Sequence, residues 1–346
     1  MRRGLGLGGV LVAVALLVSG CGEPSGDDSL TATLNGSGSS FQDSLQQTAI
    51  GAFTAEAPNA TVNYTKSGSS AGKKDLAQEN VQFAGTDSLV DPDELPTFRG
   101  GELLYFPLAA APITVSFSLR GIDVIDLTPE LIAGIFERRI TRWDDPGIAA
   151  ANPGVDLPDA GIVPVVRSDG SGTTNNFTSY LESAAGTAWT LGSGDTVNWP
   201  DGTLAAEKNS GVAALLSSTA GAIGYVDLAD AAAAELTRAR IRNRAGNFVE
   251  AKLPGATAAL AAAEVAADLS FSPLDTEGED AYPITAPTWV VVYARQPDER
   301  TRDTLEAYLR FLLTDAQTLA QTVGFAPLPE ELQERSLAQL DRLTTR

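Results

Sequence analysis

Short runs rich in β-branched and aromatic residues alternate with helical patterns through most of the chain, and this alternation restricts the folds open to it. Residues 62–65, 81–85, 103–106, 113–117, 162–166, 223–226 and 289–293 read as strands. Residues 41–54, 129–136, 173–183, 212–217 and 302–313 read as helices, with a last helical stretch over 329–343. Strand–helix alternation predicts an α/β fold with largely parallel sheets. No repeat of the length used by solenoids is visible. Phe106-Pro107 and Tyr282-Pro283 each open a new strand, and the segment after them is too short for a domain of its own. A chain that leaves one lobe near 106 and returns near 283 accounts for both.

Composition narrows the chemistry. The 346 residues hold 24 Lys+Arg against 44 Asp+Glu, a formal net charge of -20. Nucleic-acid binding is excluded as an expectation, because its affinity comes mostly from cations neutralising phosphates. No histidine is present, so an imidazole base, a Ser-His-Asp triad and His metal ligands are unavailable. The single cysteine, Cys21, excludes internal disulfides and multi-thiolate metal sites. No cofactor is expected.

That cysteine belongs to an address. Arg2 and Arg3 precede an apolar run over 4–18, followed by Val18-Ser19-Gly20-Cys21. The pattern reads as a secretory signal over 1–20, and the run is shorter than the ~20 apolar residues of a membrane-spanning helix. A cysteine directly after small residues looks like a lipobox, so Cys21 is expected to carry a lipid; the bland alternative is an ordinary signal peptide with an incidental thiol. Residues 21–29 are small, polar and acidic, as in a flexible tether. The expected location is outside the cytoplasm, lipid-anchored to the outer face of the cell membrane.

One pattern recurs three times. Gly36-Ser37-Gly38-Ser39-Ser40, Ser67-Gly68-Ser69-Ser70-Ala71-Gly72 and Ser168-Asp169-Gly170-Ser171-Gly172-Thr173 each precede a helical stretch. Glycine lets the backbone approach a ligand and hydroxyls supply rotatable donors. The following helix adds unpaired N–H groups at its positive end, which together make an anion site. Taken singly, each loop reads sooner as an N-cap or turn; three of them, with an arginine at the edge of the third, point to an oxyanion. The GxxxxGK[ST] pattern of nucleotide hydrolases is absent.

Two charged residues refine the ligand. Arg167 ends the strand before the third loop, where a guanidinium forks onto two oxyanion oxygens, and Asp169 is placed to hold it. Asp87 follows Phe83-Ala84-Gly85-Thr86 at a strand end, where α/β ligand sites lie. Phosphate near neutral pH keeps at least one P–O–H, which an ionised Asp accepts; sulfate keeps none. A site built for such a proton rejects the analogue lacking it by about 10⁴–10⁵, since the buried acceptor is left unpaired.

These stretches resemble the phosphate-binding lipoprotein (PstS) family, the extracytoplasmic receptors of the phosphate ABC importer. The resemblance runs from about Leu34 to Pro329 and is most specific over Val165–Thr173. It is joined by Gly36–Phe41, Gly68–Ser70, Phe83–Asp87, Ile140–Asp145, Gly221–Val226 and Gly278–Thr285. The resemblance implies a two-lobed periplasmic-binding-protein (Venus flytrap, class II type) fold with two hinge crossovers, one lobe of 30–106 plus 283–346 and the other of 107–282. It implies phosphate contacts from Ser40, the amide of Phe41, Ser69 and Asp87, and from Arg167, Ser171, the amide of Gly172 and Thr173, with Asp169 supporting Arg167. It implies inorganic phosphate as ligand and the importer's permease and ATPase subunits as partners. A monomer is expected, and no metal. Gln42 departs from a common proline, Ala71 from a common glycine and Val166 from a second arginine.

Other classes stay open at this point. A binding protein for another oxyanion, or a phosphate-sensing surface lipoprotein not coupled to transport, uses the same loops. A phosphomonoesterase would need a base and metal set that the chain does not offer, so no enzyme is expected.

Overall fold

The computed structural model describes Met1 and residues 29–346. All of the expected signal over 1–20 except Met1, together with Cys21 and all but the last residue of the expected tether, lies outside the described residues. Among the described residues, no helix is long and apolar enough to cross a membrane.

Among the described residues the main sheet has ten strands: β1 (Thr33–Gly38), β2 (Thr61–Thr65), β3 (Phe83–Thr86), β4 (Leu103–Phe117), β5 (Val163–Arg167), β6 (Leu204–Ala206), β7 (Ala222–Asp227), β8 (Thr237–Arg238), β9 (Thr285–Tyr293) and β10 (Ala326–Pro327). Their order is β2-β1-β3-β9-β4-β7-β5-β6, with β8 and β10 also pairing on β4. Strands β1, β2 and β3 form one parallel block, and β5, β6 and β7 form a second. The antiparallel strands β4 and β9 lie between them. Parallel neighbours need crossover connections, usually helices. Here the helices α1 (Asp43–Glu56) and α2 (Ser69–Ala77) serve the first block. The second is served by α3 (Gly172–Ala184) and α4 (Lys208–Ser218), and α5 (Glu299–Leu313) returns to cover the first. The strand–helix alternation thus produces α/β layers, with a mixed sheet where a largely parallel one is expected.

Strand β4 corrects the expectation of separate strands over 103–106 and 113–117. It runs unbroken for 15 residues through Pro107 and Pro112. Its first part pairs with β9, and from Ile113 onward it pairs with β7. A proline is tolerated in a strand where a bulge relieves the ladder of its missing N–H. Such a bulge lies beside Pro107: Trp289 faces Pro107 and Thr288 faces Ala109, leaving Leu108 as the extra residue.

Strand β1 is an element the sequence pattern does not announce, since Leu34 is its only large apolar residue. Its parallel pairing on both sides holds it, and its Gly38 is required by close approach. Gly38 has φ +140°, and a Cβ there would lie 2.0 Å from the carbonyl oxygen of Gly85. Helix α1 begins at Asp43 rather than 41, because residues 41 and 42 form a turn. Helix α4 begins at Lys208, earlier than the apolar periodicity suggests.

Aromatic packing concentrates in two places. Phe53, Phe83 and Tyr308 meet under the first block. Phe136, Phe177 and Tyr225 meet under the second. Trp143 is fully buried against Phe117 and donates Nε1–H to the Gly221 carbonyl at 3.1 Å, so that motif is packing.

Candidate functional site

The carboxyl ends of β1, β3, β5 and β6 converge, and the loops leaving them carry the expected residues. Such a crevice outside the carboxyl ends of strands is where open α/β sheets bind ligands. The first and second loops join through a hydrogen bond from Gly68 N–H to the Gly38 carbonyl, 2.7 Å. The third approaches from the other block so closely that a Cβ on Gly172 would sit 2.7 Å from Ser69 Oγ and 2.8 Å from Asp87 Cβ.

Asp87 is 2% exposed and lies at the centre. Its Oδ2 accepts from Ser39 Oγ at 2.5 Å and from Ser69 Oγ at 3.4 Å. Its Oδ1 accepts from Thr288 Oγ1 at 2.6 Å. Burial pushes this carboxyl up to about 6, against the pull of the Ser39 and Thr288 hydroxyls and the Arg167 charge. Its main-chain carbonyl accepts from Asn176 Nδ2 at 2.6 Å, which ties it to α3.

Arg167 is buried at the end of β5. Its Nε and Nη2 grip the two oxygens of Asp169 at 2.7 and 2.6 Å. A guanidinium has five N–H donors, so this pairing fixes the plane while using two of them. Asp169 Oδ1 also accepts from Lys208 N–H at 3.1 Å. Burial works to raise the Asp169 carboxyl, yet its Arg167 partner holds it below the usual range.

The hydroxyls are arranged as donors. Ser171 caps α3 by accepting from Thr174 N–H at 3.1 Å, which leaves its own proton available. Ser40 Oγ accepts from Asn209 N–H at 3.2 Å and Nδ2 at 3.4 Å. Thr173 Oγ1 accepts from Asn209 Nδ2 at 3.1 Å. The Phe41 amide, an expected ligand donor, is engaged by Ser39 Oγ at 3.0 Å. Contacts through Asp87, Asn209 and Asp169 therefore link Ser40, Ser69, Gly172, Thr173 and Arg167, while Phe41 and Ser171 flank the same cluster.

Ser39, Asn176, Asn209 and Thr288 belong to the same cluster of contacts and were not among the residues expected from the sequence. Asn209 carried a readable signal: Lys208-Asn209-Ser210-Gly211 is another polar, small-residue opening to a helix. Thr288 carried none, being contributed by a strand remote in sequence.

Two α/β domains joined by paired strands, with a polar site where strand ends from both converge, define a periplasmic-binding-protein fold. In agreement, the PBP superfamily domain matches residues 23–316. The chain is 30% identical to phosphate-binding protein PstS2 of Mycobacterium bovis over 323 residues, covering 90% of this chain and 87% of that one. It is 32% identical to phosphate-binding protein PstS of Pasteurella multocida over 313 residues, covering 89% of each. The chain belongs to the PstS family. Among solved structures it is similar to the periplasmic phosphate-binding protein PfluDING, with a TM-score of 0.75 and 24% identity over 89% of this chain and 93% of that one. It is also similar to a putative phosphate ABC transporter substrate-binding protein from Clostridium perfringens, at a TM-score of 0.63 and 19% identity, covering 86% and 100%.

Proposed function

We propose that the chain is an extracytoplasmic receptor for inorganic phosphate that delivers it to the permease and ATPase subunits of an ABC importer. Ser40, Ser69 and Asp87 hold the anion from a lobe of 30–106 plus 283–346. Arg167, Ser171, the Gly172 amide and Thr173 hold it from a lobe of 107–282, with the Phe41 amide as a further donor once it exchanges Ser39 for the ligand. Cys21 carries the lipid that keeps the receptor at the outer face of the cell membrane.

The observation that carries this reading is the company Asp87 keeps. A buried carboxylate among hydroxyl donors and one guanidinium is repulsive to a bare oxyanion and attractive to one that still bears a proton. Closure of the lobes brings the second donor set onto an anion already held by the first, so the closed state gains contacts the open state lacks. The net charge of -20 does not oppose this, because exposed charges are screened over about 8 Å at physiological ionic strength. The chain acts as a receptor and not as an enzyme.

Calorimetric titration tests the binding. Protein stripped of phosphate is expected to bind it 1:1 with excess sulfate present, and Asp87→Ala is expected to lose that discrimination. No phosphate heat from the folded protein would overturn the reading. Delivery is tested by phosphate uptake in cells lacking the gene, which the wild type restores and Cys21→Ala restores less.

A further inference from the structure

Behind Asp87 lies a buried row of hydrogen bonds. Gln42, Gln46, Thr288 and Tyr308 are all fully buried. Tyr308 OH donates to Gln46 Oε1 at 2.6 Å, Gln46 Nε2 to Gln42 Oε1 at 2.7 Å, and Gln42 Nε2 to Thr288 Oγ1 at 2.7 Å. Thr288 Oγ1 then reaches Asp87 Oδ1 at 2.6 Å.

The direction of this row follows from one carbonyl. Amide groups can in general be turned over, so only their partners assign them. Gln42 Nε2 also lies 3.0 Å from the main-chain oxygen of Trp289, which can only accept. The NH₂ of Gln42 must therefore face Trp289 and Thr288, and its Oε1 must face Gln46. That choice orients Gln46, and the Gln46 oxygen in turn requires the phenol of Tyr308 to donate. The Thr288 hydroxyl, receiving a hydrogen from Gln42, has its own proton left for Asp87 or for the Thr86 carbonyl at 3.3 Å. The carboxylate is nearer and charged, and charge-assisted bonds are the stronger kind.

We infer that Gln42 is a positioning residue that sets the polarity of this row, so that every hydrogen points towards Asp87 and the carboxylate is kept as a proton acceptor for the ligand. Aligned hydrogen bonds polarise one another in a low-dielectric interior. The inference deepens the phosphate reading and rests on it for its ligand. The other charged and titratable groups facing Asp87 are Arg167 from β5, Asp195 from the segment after α3, and the Tyr64 phenol from β2. None of these is altered by changing Gln42.

The test compares wild type, Gln42→Leu and the milder Tyr308→Phe in the full chain. Asp87 is titrated by carboxyl NMR without ligand, and phosphate affinity is measured near pH 6 and pH 8. In Gln42→Leu the Asp87 carboxyl is expected to rise by about one unit, equivalent to a tenfold bias. Tyr308→Phe should move it the same way by less. The affinity ratio of wild type to Gln42→Leu should be about 5 near pH 6 and shrink towards 1 near pH 8, since alkali restores the ionised form. Phosphate's own titration cancels in that ratio. An Asp87 titration unmoved in both variants, or an affinity ratio independent of pH, overturns the inference. Absence of phosphate binding by wild type overturns the phosphate reading instead, and the ligand-free titration still decides the polarity of the row.

Discussion

The ammonium of Lys73 lies 3.0 Å from Oδ2 of Asp195, joining α2 on the first parallel block to the segment that follows α3 on the second. Ser70 Oγ donates to the same oxygen at 2.7 Å, and the Asp195 carbonyl accepts from Ser171 N–H at 2.9 Å. Burial works to raise the Asp195 carboxyl, but Lys73 and the neighbouring hydroxyls hold it below the usual range, so it stays ionised. On its own side Lys73 also has Glu94 at 3.9 Å. The ammonium thus has one carboxylate on its own block and a closer one on the other.

Lys73→Met should therefore hasten phosphate release. Truncating one partner of a buried charged pair acts mainly on dissociation, so release about 10–100-fold faster is expected, with association changed less than about threefold. Stopped-flow release rates check this; unchanged rates would show that the pair does not hold the closed form.

Asp87 makes stability depend on pH in a defined direction. Its folded carboxyl titrates at about 6, above the 3.8 of an unperturbed Asp, so the native state binds the extra proton. Its contribution is complete below about pH 4 and is lost as pH rises through about 6, a change of about 3 kcal/mol. Asp87→Asn cannot titrate and carries only a constant offset. In denaturant melts of ligand-free protein, the variant should gain on wild type by up to about 3 kcal/mol between about pH 4 and pH 7. A difference flat across that window contradicts the assignment.

Asn209 donates to hydroxyls from both halves, Ser40 and Thr173. Asn209→Ala leaves those protons free to turn away from the anion. Loss of buried hydrogen bonds of this kind costs about 1–3 kcal/mol, so phosphate affinity should fall roughly 5–150-fold. Calorimetry on a variant that still melts cooperatively provides the measurement.

Gly172→Ala probes the approach of the third loop. The added methyl would meet Ser69 and Asp87, and overpacking of this kind costs about 1–3 kcal/mol. The penalty falls on the proposed closed form, so affinity should drop by about 5–150-fold while the ligand-free melting temperature moves little. A melting temperature that falls in step with affinity would place the clash in the fold rather than in closure.

Much of the candidate site was legible because its parts are local. The Ser–Gly loops, Asp87 and the Arg167/Asp169 pair each declare themselves within a few residues, and strand-end position is readable from hydrophobic runs. Which serine faces Asp87 was not legible. Ser39 and Ser40 are neighbours of identical chemistry, and only the folded backbone turns Ser39 towards the carboxylate and Ser40 towards Asn209. Thr288 reaches Asp87 beside a bulge, and bulges re-aim side chains in ways no local pattern records. The unbroken β4 was hidden by Pro107 and Pro112, which argue locally for a break that the neighbouring strands override.

The interleaving of β4 and β9 also fixes an order of events. In the folded protein β3 pairs with β1 on one edge, while its other edge is filled only by β9, which is made after the other half. Phe53 and Phe83 likewise wait for Tyr308 on α5. The half begun first is therefore completed last, after the other half has been synthesised. Contacts so distant in sequence form slowly, since loop closure precedes their reward. A chain that cannot close early stays threadable, and it can pass a narrow pore before its fold makes that impossible.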